Sequence, residues 1–151
     1  MQIEIRKARH SDRDSIAGFQ VEMALETENY QLDRGTVLAG VEAVLNNEKL
    51  GVYYVAAVGN EIAGSLLTTY EWSDWRNGTV LWIQSVFVDR RYRKQGIYGT
   101  LYTYLKARVD SDDTLKGIRL YVDESNKGAR DVYARLGMNG EHYRVFEWMK
   151  D

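Results

Sequence analysis

The stretch RRYRKQGIYGTLY, residues 90–102, sets four Arg or Lys side chains in its first five positions, then two glycines among apolar residues. Cations at that density suit nucleic acid, an anionic membrane surface or one small anion. Gly96 and Gly99 favour the small anion, because main chain approaches a ligand closely where side chains are missing. The segment follows an apolar run and opens a helical pattern. It therefore offers the free N–H groups of a helix start and the positive end of the helix dipole. Arg93 and Lys94 add whole charges nearby, an arrangement that suits a pyrophosphate better than a single carboxylate. Two familiar phosphate loops are excluded: no Lys-Ser or Lys-Thr follows the second glycine, and the spacing Gly-x-Gly-x-x-Gly is missing.

The rest of the composition narrows the ligand. A net charge of −2 and a pI of 5.8 give no global attraction to nucleic acid, so any basic function is local. With no cysteine there is no disulfide, thiolate metal site or Cys nucleophile, and His10 and His142 lie too far apart to suggest a metal site. The first dozen residues are charged and lack the apolar stretch of a signal peptide. The longest apolar runs, near Val52–Val58 and Val80–Val88, are too short to span a bilayer. A cytoplasmic protein of one domain over residues 1–151, engaging neither membrane nor nucleic acid, is the expectation.

These residues need a scaffold, and the hydrophobic periods supply one. Alternation at Ile3 and Ile5 predicts an opening strand, and Ser11 with Asp14 reads as a capping box for a helix to about Leu25. Val37, Leu38, Val41, Val44 and Leu45 mark a second amphipathic helix. Residues 51–58 and 61–72 read as strands joined by the Gly59–Asn60 turn, and a Trp-rich loop covers 72–78. The run 79–89, apolar on both faces, reads as a central strand. Ile97, Leu101, Leu105 and Val109 recur every four residues, predicting a helix over 96–109. A strand over 117–124, a helix over 126–137 closed by Gly137, and a last strand over 142–150 complete the order β-α-α-β-β-β-α-β-α-β. The class is α+β, or mixed α/β, with a right-handed crossover across 79–124.

The glycine segment resembles the acyl-CoA loop of the GNAT superfamily of N-acyltransferases. That signature reads Gln or Arg, two residues, Gly, one residue, then Gly or Ala. Arg93 and Gly96 fill the first two fixed places; Tyr98 stands in the third, and Gly99 follows one place later. Downstream, Asn126, Ala129, Tyr133 and Gly137 fall in register with the family's second motif, and the element order matches from end to end. Ala24–Glu28, Trp72–Arg76 and Ile83–Val88 are similar to segments of uncharacterised bacterial-type members.

The resemblance implies a GNAT-like fold, with a twisted mixed sheet of about seven strands and about four helices. It implies that acetyl-CoA, the acyl donor, lies over Arg93, Lys94, Gln95, Gly96, Ile97, Tyr98 and Gly99. Its pantetheine arm would pair with the main chain of Val86, Phe87 and Val88, and Asn126 would reach the cofactor or an ordered water. Asn126 also suits a helix N-cap. Tyr133 becomes the catalytic general acid, protonating the departing thiolate, with core packing as its plainer role.

The general base stays open. Many relatives carry Glu on the central strand where this chain has Gln84, so Glu22, Glu26, Glu28, Asp74, Asp123 and Glu124 are candidates. Trp72, Trp75, Tyr30 and Tyr143 beside these acids suit a cationic acceptor, or else core and dimer contacts. The expected acceptor site comprises Glu22, Glu28, Trp72, Asp74 and Gln84. The activity implied is direct acetyl transfer to a small primary amine such as a polyamine, amino acid or aminoglycoside-like molecule, with a homodimer among the expected assemblies. The alternative is an acyl-CoA-binding or sensing module that kept the fold and lost turnover.

Overall fold

The structure, a computed structural model, describes residues 1–123 and 125–150. They fall into two compact units, Met1–Arg119 and Leu120–Asp151.

The first unit is built on one five-stranded sheet in sequence order: β1 (Glu4–Lys7), β2 (Val52–Val58), β3 (Glu61–Ser73), β4 (Gly78–Val88) and β5 (Leu115–Arg119). The first four strands are antiparallel neighbours and β5 pairs parallel to β4, so the sheet is mixed as the sequence predicts. Three helices accompany it: α1 (Arg13–Glu28), α2 (Arg34–Asn46) and α3 (Ile97–Ser111).

Period-two alternation sends Tyr53, Val55 and Leu67 to one face, where they pack with Ile16, Ala17 and Val41 of α1 and α2. Tyr54 and Gly64 take the other face, against Tyr104 and Ile97 of α3. The fully buried Leu101 and Leu105 lie on the same stripe of α3 as Ile97, as their four-residue spacing requires.

The expected sheet of about seven strands is corrected to five among the described residues. Residues 142–150 form no strand. Their alternation breaks at Val145–Phe146 and again at Trp148–Met149, and a strand exists only where a partner completes its ladder. The strand expected at 117–124 runs instead from Leu115 to Arg119, ending where its pairing with β4 ends.

The start of α1 also differs. Ser11 lies in a 3₁₀ turn, His10–Asp12, and no side chain caps the helix. Asp12 is drawn away by Arg6, whose guanidinium donates to it at 2.7 and 3.2 Å, and by the Arg9 N–H at 2.7 Å. Burial alone would discourage Asp12 from ionising, but these donors outweigh it and hold the carboxyl below its usual range.

The second unit contains α4 (Lys127–Arg135). The Asn126 side chain accepts the Ala129 N–H at 3.1 Å and so caps it. Gly137, at φ 89°, ends the helix in the left-handed turn that glycine permits.

Candidate active site

The site is organised by an irregularity in β4. Leu67 pairs with Gln84 but Ser65 pairs with Phe87, so Ser85 and Val86 together oppose Leu66. This is a β-bulge, and Ser85 carries its strain at φ 54°. The bulge changes which residues face α1. Trp82 and Gln84 face α1 and α2 before it; after it the same face is taken by Phe87, whose ring meets Phe19 at 5.1 Å.

On its other edge β4 pairs with β5 only from Thr79 to Trp82. Between Ile83 and Val88, β3 is therefore the only ladder partner of β4 among the described residues. This edge leaves main-chain groups of β4 without a neighbouring strand among the described residues. Val86 and Val88 are half-buried there and Phe87 is buried.

Beyond Val88 the chain turns into the basic loop. The Asp89 N–H donates to the Ala63 carbonyl at 2.8 Å, and the Asp89 side chain accepts the Arg91 N–H to start a short 3₁₀ turn, Arg90–Tyr92. Arg91 pairs with Asp89 and Glu61, Arg90 with Glu26, and Arg93 with Glu26. The tyrosine hydroxyl of Tyr92 also bonds Glu61. Three of the four cations thus hold the loop in place, and Lys94 is the one without an ion pair among the described residues. That arrangement suits one small anion far better than a polyanion.

The loop backbone is shaped for such an anion. Lys94 at φ 62° and Gly96 at φ 81° are left-handed, with Gln95 between them, an alternation that turns successive N–H groups to one side. The Gln95 side chain donates to the Arg91 carbonyl at 3.2 Å. Gly96 caps α3, which begins at Ile97, and the helix axis brings its positive end to the same place. A Cβ added at Gly96 or Gly99 would meet nothing within 4 Å, so both glycines border open space. Tyr98, in place of the usual small residue, stacks with Tyr102 along the helix at 6.5 Å between ring centroids. A pyrophosphate fits this cradle, and the open edge of β4 fits the arm attached to it.

Two contributors escape sequence reasoning. Gly64 lets β3 run close beneath the loop: a Cβ there would sit 2.9 Å from the Phe87 carbonyl oxygen and 3.3 Å from Ile97. On the Gln84 face a polar row crosses three strands. Gln84 donates to Thr69 at 2.6 Å, and Glu71 accepts from Trp82 at 2.6 Å and from Arg119 at 2.5 Å. The Trp82 indole, then Arg119, hold the Glu71 carboxyl below its usual range.

The expected acceptor residues do not form one cluster. Trp72 and Gln84 lie on opposite faces of the sheet by strand parity, and Asp74 sits in the β3–β4 turn. That turn lies about 33 Å of extended strand from Val88. Glu22 lines a groove of about 660 Å³ between α1 and the β2–β3 turn, whose rim reaches Asp89 and Arg91. Glu28 ends α1. Glu26 is gripped by arginines, and Asp123 caps its own turn through Ser125, so neither is poised to take a proton. Glu124 lies outside the described residues. Asn126 and Tyr133 belong to the second unit, on α4 and its cap.

A model of the acetyltransferase (GNAT) family matches residues 14–138. The chain belongs to the GNAT acetyltransferase family. Among solved structures it is similar to a possible acetyltransferase from Clostridium difficile 630, with 43% identity over 100% of this chain and 99% of that one, and a TM-score of 0.92. Two more distant GNAT-like structures share the fold. One is an aminoglycoside acetyltransferase from an uncultured soil metagenomic sample, solved with sisomicin (18% identity, 98% and 95% coverage, TM-score 0.74). The other is a ribosomal-protein-alanine N-acetyltransferase from Brucella melitensis biovar Abortus 2308 (12% identity, 99% and 100% coverage, TM-score 0.80). Curated proteins give no match. No helix among the described residues is long and apolar enough to cross a membrane.

Proposed function

We propose that this GNAT protein is an acetyl-CoA-dependent N-acetyltransferase acting on a primary amine of a small molecule. The observation that carries the reading is the continuity of the cradle at Lys94–Gly99 with the edge of β4 from Ile83 to Val88 that is unpaired among the described residues. Main-chain groups of the loop and the Lys94 charge hold the pyrophosphate, and the edge at Val86 and Val88 receives the pantetheine arm. When bound, acetyl-CoA supplies a thioester carbon for the amine to attack and a sulfur that leaves as the C–S bond breaks. The chain offers no cysteine to carry the acetyl group, which favours direct attack in a ternary complex.

The acceptor approaches the face that carries Gln84 and Thr69. Glu71 lies farther along this face and is no base, since Trp82 and Arg119 hold it ionised. Gln84 is no base either, so the amine's proton leaves through water to a carboxylate such as Glu28. By the family register Tyr133 gives its phenolic proton to the departing sulfur.

The test is thiol release from acetyl-CoA across a panel of polyamines, amino acids and aminoglycosides, with calorimetric CoA binding alongside. Release with any amine supports the enzyme. CoA binding without release across the panel favours the sensing module, and no CoA binding removes the reading altogether.

A further inference from the structure

We propose that Glu26 is a positioning residue for the cofactor loop, clamping it to the end of α1 through Arg93; the inference rests on the reading of that loop as the CoA site. The Glu26 carboxylate accepts two hydrogen bonds from Arg93, at 2.6 and 3.1 Å, and has Arg90 at 3.5 Å. Arg93 is fully engaged elsewhere on the loop's base. Its Nε donates to the Val88 carbonyl at 2.9 Å, and its guanidinium lies 5.2 Å from the centre of the Phe87 ring. Phe87 in turn packs on Phe19 of α1. The contacts close a circuit from α1 to the end of β4, into the loop, and back to α1.

The placement of Glu26 makes little sense as helix design alone. It lies in the last turns of α1, where a carboxylate opposes the helix dipole, and no basic residue of α1 offsets it there. The compensation comes from Arg90 and Arg93, 64 and 67 residues farther along the chain. The Arg93 hydrogen bonds keep Glu26 ionised despite partial burial. With Arg93 held in this way, the residues that follow it enter the left-handed turns at Lys94 and Gly96 from a fixed origin. Preorganisation of that kind lowers the ordering cost of binding. The pair is partly exposed, so its effect on global stability is small and its effect on the loop is the informative one.

Glu26→Gln keeps shape and removes charge. In the cofactor-free protein it should accelerate hydrogen exchange at the first hydrogen-bonded amides after the loop, from Thr100 into α3, while leaving β2 and β3 protected. CoA affinity by calorimetry should fall about tenfold, the scale of one charge-assisted pair. In an Arg93→Gln background the same change should add little, because the two Arg93 hydrogen bonds are gone and the more distant Arg90, at 3.5 Å, remains. Unchanged exchange at the start of α3 in Glu26→Gln overturns the proposal, as does tighter CoA binding, which would make Glu26 a competitor for Arg93. If wild type binds no CoA, the functional reading fails, while the exchange comparison still decides the role of Glu26.

Discussion

Gln84 and Phe87, three residues apart on β4, face the same side of the sheet, which a regular strand forbids because its side chains alternate. The bulge at Ser85 and Val86 reconciles them. It presents a polar side chain and an aromatic anchor on one face while the opposite edge of the strand stays open. Substitutions at Ser85 should therefore act through its backbone. Ser85→Gly removes the cost of φ 54° and should hold or raise the melting temperature. Ser85→Val should lower stability by about 1–3 kcal/mol, read by denaturant unfolding of both variants.

Acid should unfold the first unit through specific carboxylates. Asp12, Glu26 and Glu71 are all held below their ordinary values, by Arg6, Arg93 and Trp82 with Arg119 respectively. A lowered folded value contributes stability that is complete above the unfolded value, about pH 4, and is lost as pH falls through the folded one. The melting temperature should be nearly flat from pH 7 to 5 and drop below about pH 4. Asp12→Asn should melt lower at pH 7 yet show a shallower acid decline. An unchanged decline in that variant would remove Asp12 from the acid transition.

Local features were legible and long-range ones were not. The Gly59–Asn60 hairpin and the four-residue spacing of α3 depend on neighbours in sequence, and both appear as read. The bulge falls in a run that reads as apolar on both faces, and the adjacent polar pair Gln84–Ser85 is its mark in the sequence. Arg93 reads as a ligand for an anion, yet all three arginines of the basic run hold carboxylates, including Glu26 from 67 residues before Arg93. Spacing shows which charges crowd a segment and says nothing of which distant charges answer them. The terminal stretch 142–150 had strand-forming residues, but pairing is a property of a partner and not of composition.

Gly96 joins the backbone and ligand arguments. Its φ of 81° disfavours any L side chain, although the space beside it is open. Gly96→Val should cost about 1–3 kcal/mol of stability through strain and weaken CoA binding further, since the new methyls occupy the cradle. Calorimetry on the folded variant checks this, and unchanged CoA affinity would take the loop out of the site.

Tyr133 separates a catalyst from a scaffold. The assignment comes from the spacing Asn126, Ala129, Tyr133 and Gly137, which the helix α4 carries with Asn126 as its cap. Tyr133→Phe keeps the ring and its packing and removes the hydroxyl that carries the phenolic proton. A general acid contributes on the order of 10² to 10⁴ in rate, so kcat should fall by that range while CoA affinity and melting temperature stay close to wild type. Product release can hide such a loss when it limits turnover, so the acetyl transfer is followed in a single turnover with enzyme in excess. A single-turnover rate close to wild type would assign the proton to another donor. A lowered melting temperature with an intact rate would leave the Tyr133 hydroxyl with a structural role in place of a catalytic one.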